Sequence, residues 1–172
     1  MALTMYQLSI PALVRGLGVL TKLLDKAEAF AEEKGIPTDD LFHARLAPDM
    51  LTLAGQVQRV SDTSKGLVGR LTSIEVPRFP DEEKTFDELR QRIAKSVAFL
   101  ETVRPVDLED SDSREVVLNF PNLKVTLTGE EYLLKFVLPN FYFHLTTAYD
   151  ILRHKGVPLG KRDFLGRMRI KS

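Results

Sequence analysis

The chain has 172 residues, 44% of them apolar and 28% charged, which is enough for one folded core and excludes a disordered chain. It has no cysteine, so disulfides and thiolate metal sites are excluded, and its 24 Lys and Arg against 24 Asp and Glu deny it the basic excess that phosphate-backbone binding demands. A single cytoplasmic domain over residues 1–172 is expected, with no export leader and no membrane span.

In chain order, Leu13, Leu17, Leu20, Leu24 and Ala27 recur at intervals of three and four, one stripe of a helix. Pro11 suits a first turn and Ser9 a cap, so this helix is expected from there to about Glu33, with Gly35 as its stop. The stretch TDDLFHARLAPDM is a connection with one helical turn of its own. Pro48 then opens a second helix whose inward stripe is Met50, Ala54, Val57, Ser61, Val68 and Leu71, widened by Leu53, Val60 and Leu67. The small residues Ala54, Ser61 and Ser64 allow close helix approach or leave room for a pocket.

Residues 74–84, IEVPRFPDEEK, carry two prolines and many charges and are expected to be an extended crossover. Thr85 and Glu88 have capping-box spacing and start a third helix with Phe86, Leu89, Ile93, Val97 and Leu100 inside. Two β-prone runs around Pro121 and Asn122, VVLNFPNLKVTL, form a small hairpin. Thr128 and Glu131 repeat the capping box and open a fourth helix through Leu134, Phe141, Leu145, Ala148 and Leu152 to Gly156, with a kink expected at Pro139. Four amphipathic helices with one long crossover predict an all-α four-helix bundle, the hairpin lying against its end.

The blocks LDKAEAFAEEKG, RLAPDMLTLAGQVQ, PNFYFHLTTAYDILRHKGVPLGK and KRDFLG resemble a family of unknown function within the DinB/YfiT-like superfamily of four-helix proteins. The resemblance spans nearly the whole chain and implies the superfamily's up-down-down-up bundle, with the long crossover leading to the third and fourth helices. It also implies a homodimer. Many superfamily members have a three-histidine metal site, one ligand on the second helix and an H-x-x-x-H pair late in the bundle. Residues four apart share a helical face, so such a pair can converge on one ion. Here Ala148 follows His144 by four, Asn140 precedes it by four, and the second helix offers Gln56 and Gln58 in place of a histidine. The chain departs from the superfamily's pattern at these positions, so a bundle without that metal site and without a cofactor is expected. The alternative is a divalent transition metal on His144, serving a transferase or hydrolase.

His144 follows Phe141, Tyr142 and Phe143 at the edge of the apolar stripe. A neutral imidazole donates one hydrogen bond and accepts one, so Gln56, Gln58 or Tyr142 can satisfy it; this structural role leads, ahead of ligand binding and metal ligation. Gln56, Gln58 and Asp62 on the second helix, with Asn140, His144 and Tyr149 on the fourth, form the expected lining of a small-molecule pocket, with Asp49 at its edge. His154 falls in a helix's last turn, where donors cap free carbonyls, and His43 is expected to be exposed. Three consecutive aromatics cannot share one helical face, so the fourth helix needs cover on more than one side, from loops or from a second copy.

GVPLGKRD does not make a phosphate loop: the glycine spacing is too short, no Ser or Thr follows the lysine, and a helix precedes it. The segment GKRDFLG is expected to dock through Phe164 and Leu165, with Asp163 bound to an arginine or a helix start. The chain from Arg153 onward is basic apart from Asp163, which leaves nucleic-acid or regulatory binding through Lys161 and Arg162 as the last alternative.

Overall fold

The computed structural model of the chain describes residues 3–166. Its elements are α1 (Met5–Lys34), a short α2 (Thr38–Phe42), α3 (Leu53–Leu71), α4 (Phe86–Leu100), a 3-10 turn (Pro105–Leu108), β1 (Glu115–Phe120), β2 (Leu123–Thr128), α5 (Gly129–Glu131), a π turn (Tyr132–Val137), α6 (Leu138–His154) and a short α7 (Lys161–Leu165). The protein is mostly helical, with one two-stranded antiparallel sheet. α3 packs against α4 and α6, and α1 packs against the same two helices from the other side. Their apolar stripes meet in one core, in which Leu13, Leu17, Leu20, Leu24, Leu53, Val60, Leu89 and Phe141 are fully buried.

α1 starts about one and a half turns earlier than Pro11 and Ser9 suggest. Thr4 is the cap, in a reciprocal box with Gln7, Pro11 lies inside the helix, and the Ser9 hydroxyl donates to the Met5 carbonyl at 2.6 Å. The C-terminal stop is where it is expected: Gly35 has φ +63°, a left-handed conformation that a β-carbon disfavours, and its amide bonds the Ala31 and Glu32 carbonyls. α1 is long and apolar enough, by length and composition, to be a candidate membrane span, but its buried leucines line the bundle core.

Thr52, not Pro48, caps α3 by accepting from the Gly55 amide at 3.2 Å, so Met50 lies outside the helix and half-buried. The remaining stripe of α3 is buried as expected. Its small residues bring α3 and α4 together: the Ser61 and Ser96 hydroxyls share a buried 2.8 Å hydrogen bond. The Thr85–Glu88 and Thr128–Glu131 capping boxes both form, and the hairpin pairs from Glu115 with Thr128 to Phe120 with Leu123.

The fourth helical pattern departs from regular α-helix. Ahead of Pro139, the Leu138 amide reaches back five residues to the Leu133 carbonyl, so the chain widens into a π turn where the proline supplies no donor. The wider turn also rotates the face. Leu133 is fully buried, whereas Leu134, expected in the core, is 46% exposed. The C-terminal segment docks on α6 by Phe164, whose ring meets Tyr149 edge-on at 5.9 Å, and on α1 by the Leu165 carbonyl, which accepts from Arg15. Asp163 bonds the Gly160 amide at the start of α7 and pairs with Lys26, at 2.8 Å each, rather than with an arginine. Arg167, Arg169 and Lys171 of the basic C-terminus lie outside the described residues.

Candidate functional site

α3 presents polar groups on two flanks. On the flank against α6, the amide of Gln56 donates through Nε2 to the Leu51 carbonyl at 3.2 Å, which turns its Oε1 toward α6. There Oε1 lies 2.7 Å from Nδ1 of His144. A carboxamide oxygen only accepts, so Nδ1 carries the proton and Nε2 is left with its lone pair. Gln56 is 1% exposed, so this arrangement is held inside the structure. Burial first, and then the Arg59 guanidinium, hold the imidazole below its usual range, so at neutral pH it is uncharged. Nε2 has no hydrogen-bond partner among the described residues and is not among the buried unpartnered atoms, so the lone pair reaches the surface. The Phe143 ring stands edge-on to the imidazole at 5.2 Å and is 56% exposed.

A second rung lies further along the same seam. Asn140 Nδ2 donates to Thr63 Oγ1 at 2.7 Å, and that hydroxyl in turn donates to the Arg59 carbonyl at 2.7 Å. Gln56 and Thr63 are two turns apart on α3, and Arg59 falls between them.

The other flank of α3 faces α4 and the crossover. Arg92 of α4 is 2% exposed, and its guanidinium is gripped from three sides. Nη2 meets Asp62 at 2.8 Å and Asp81 at 2.9 Å; Nη1 meets Glu83 at 2.8 Å and the Pro80 carbonyl at 3.1 Å. Arg59 pairs with Asp62 at 3.0 Å and with Asp81, and Lys65 pairs with Asp62 at 3.3 Å. Gln58 donates to Glu83 at 2.9 Å. Burial pushes the Glu83 carboxyl up, but its hydrogen bonds from Arg92 and Gln58 outweigh that and hold it below the usual carboxylate range. Burial lowers Lys65 despite Asp62. A cavity of about 520 Å³ opens beside this cluster, lined by Arg78, Phe79, Glu83, Gln91, Arg92 and Lys95.

The expected pocket residues are thus divided. Gln56, Asn140 and His144 meet on the α3–α6 seam, Gln58 and Asp62 serve the crossover cluster, Tyr149 packs on Phe164, and Asp49 is exposed before α3. Sequence reading passed over Arg59, Thr63, Asp81, Glu83 and Arg92. A signal for Arg92 was present: it stands three residues after Leu89, one before Ile93 and four before Ser96, all buried, so it belongs to the inward face of α4.

The superfamily's metal does not fit this donor set. The Gln56 amide is occupied by Leu51 and His144, Asn140 is bonded to Thr63, and Ala148 offers no donor. His154 lies ten residues beyond His144, about 15 Å along the helix at 1.5 Å per residue. His43 is exposed beside Phe42 and 3.9 Å from Asp39. Among the described residues, no three His, Cys, Asp or Glu side chains are grouped to hold an ion.

Comparison with known proteins agrees with the architecture. A crystal structure described as a DinB family member from Shewanella denitrificans is similar to this chain with a TM-score of 0.90 and 41% identity, covering 97% of this chain and 94% of that one. No curated protein matches. The family model for the domain of unknown function DUF1993 matches residues 5–165, and the chain belongs to that family.

Proposed function

We propose that this protein is a DinB-like bundle that works without the superfamily's three-histidine metal site and binds a small molecule at the α3–α6 seam, with His144 Nε2 as the accepting atom. The observation that carries this reading is the 2.7 Å bond between His144 Nδ1 and Gln56 Oε1. Gln56 stands on the helix from which a metal ligand would come, yet it accepts a hydrogen bond from the histidine Nδ1–H and so fixes a neutral imidazole with its lone pair outward. The exposed Phe143 ring supplies an apolar surface beside that acceptor. A ligand carrying an O–H or N–H donor next to an apolar body matches both.

Metal analysis of protein purified without a histidine tag tests the first half. The reading expects no tightly held transition metal, and one ion per chain that is lost in His144→Ala overturns it. Ligand titrations followed by NMR test the second half. Shifts should centre on His144, Gln56 and Phe143 and vanish in His144→Ala with the helical circular dichroism unchanged.

A homodimer through the outer face of α6 belongs to the same proposal, because Tyr142, turned away from the seam by one residue's rotation from Phe143, is 41% exposed. Light scattering should give twice the monomer mass, and Tyr142→Glu should halve it; a monomeric parent removes this part of the proposal.

A further inference from the structure

The crossover is bound to the bundle by charge rather than by burial. None of residues 73–85 is buried. Their apolar contacts are few: Ile74, at the start of the segment, packs half-buried against the core, Val76 rests on Gly69, where a β-carbon would come within 2.6 Å of the valine, and the Phe79 ring lies 4.0 Å from the Lys65 ammonium. What remains is polar. The Pro77 and Pro80 carbonyls accept from Lys65 and Arg92, and Asp81 and Glu83 close on Arg59 and Arg92. The charged groups facing one another are Arg59, Asp62 and Lys65 of α3, Asp81 and Glu83 of the crossover, and Arg92 of α4, three cations against three carboxylates. The Nη atoms of Arg92 make three hydrogen bonds and an ion pair with Asp81, yet its Nε is buried with no partner among the described residues. Closing the crossover therefore carries the cost of a desolvated donor that opening would hydrate.

Asp62 and Asp81 hold the Arg59 guanidinium on the crossover side of α3. We propose that residues 75–85, beyond the core contact of Ile74, form an electrostatic strap that opens as a unit while the bundle stays folded.

The test uses the full chain carrying Asp81→Asn or Glu83→Gln, with limited trypsin digestion. Cleavage after Arg78 should accelerate about tenfold or more in each variant, while sites within α1 and α6 keep their parent rates, as expected when one segment opens without the bundle. Unchanged cleavage after Arg78, or acceleration at all sites together, overturns the strap. No ligand enters the readout, so a failure of His144 to bind one leaves the result interpretable.

Discussion

The two flanks of α3 bury polar side chains by different means. Against α4 and the crossover, six charges neutralise one another around Arg92, and each carboxylate meets at least two cations or donors. Against α6, the contacts are neutral, short and few: Gln56 with His144 and Thr63 with Asn140. A charge cluster whose carboxylates are all engaged by cations or donors serves to hold segments in place. A neutral pair that leaves Nε2 open has one group uncommitted, which is why the proposed reading puts fastening on the first flank and recognition on the second.

Substitutions should separate the two. Arg92→Met removes the only charge common to Asp62, Asp81 and Glu83, and because those carboxylates keep some solvent the loss should sit near the lower end for broken buried pairs, about 3 kcal/mol by urea denaturation. Gln56→Met should cost about 1–2 kcal/mol, since it strands the Leu51 carbonyl and the His144 Nδ1 proton, and should release the tautomer. A loss from Gln56→Met larger than that from Arg92→Met would reverse the division of labour.

Acid should affect the flanks in separate windows. The folded state depresses both His144 and Glu83, so each contributes stability above its unfolded titration range that is lost as pH falls through the folded one. For His144 the loss begins just below the ordinary imidazole range, at under about 1.4 kcal/mol per pH unit. For Glu83 it waits until below the ordinary carboxylate range, where NMR signals of residues 76–84 should move toward unfolded positions. The smallest effect is expected from Thr63→Val, roughly 0.5–1.5 kcal/mol for one hydrogen-bonded rung, with His144 still bound to Gln56.

Much of the bundle was legible in the sequence because periodicity and caps report local physics. The Thr85 and Thr128 boxes, the Gly35 stop and the hairpin around Pro121 each depend on residues a few positions apart. The seam was legible in part: Gln56, Asn140 and His144 are polar residues bordering apolar stripes. The charge cluster was not. Asp81 and Glu83 look like ordinary members of an exposed, proline-rich loop, and only the folded path of that loop brings them onto Arg92. The same limit explains Gln58 and Asp62, which share a helix with Gln56 but turn to the other flank. Leu134 was misplaced because a π turn adds a residue to the repeat, which no regular period anticipates.

The most direct measurement is the nitrogen NMR spectrum of the His144 ring in untagged protein, followed through a pH titration. A neutral ring protonated on Nδ1 at pH 7, with a midpoint below that of an exposed histidine, is what the hydrogen bond to Gln56 requires. A proton on Nε2, or ring shifts characteristic of a metal-bound nitrogen, would contradict it.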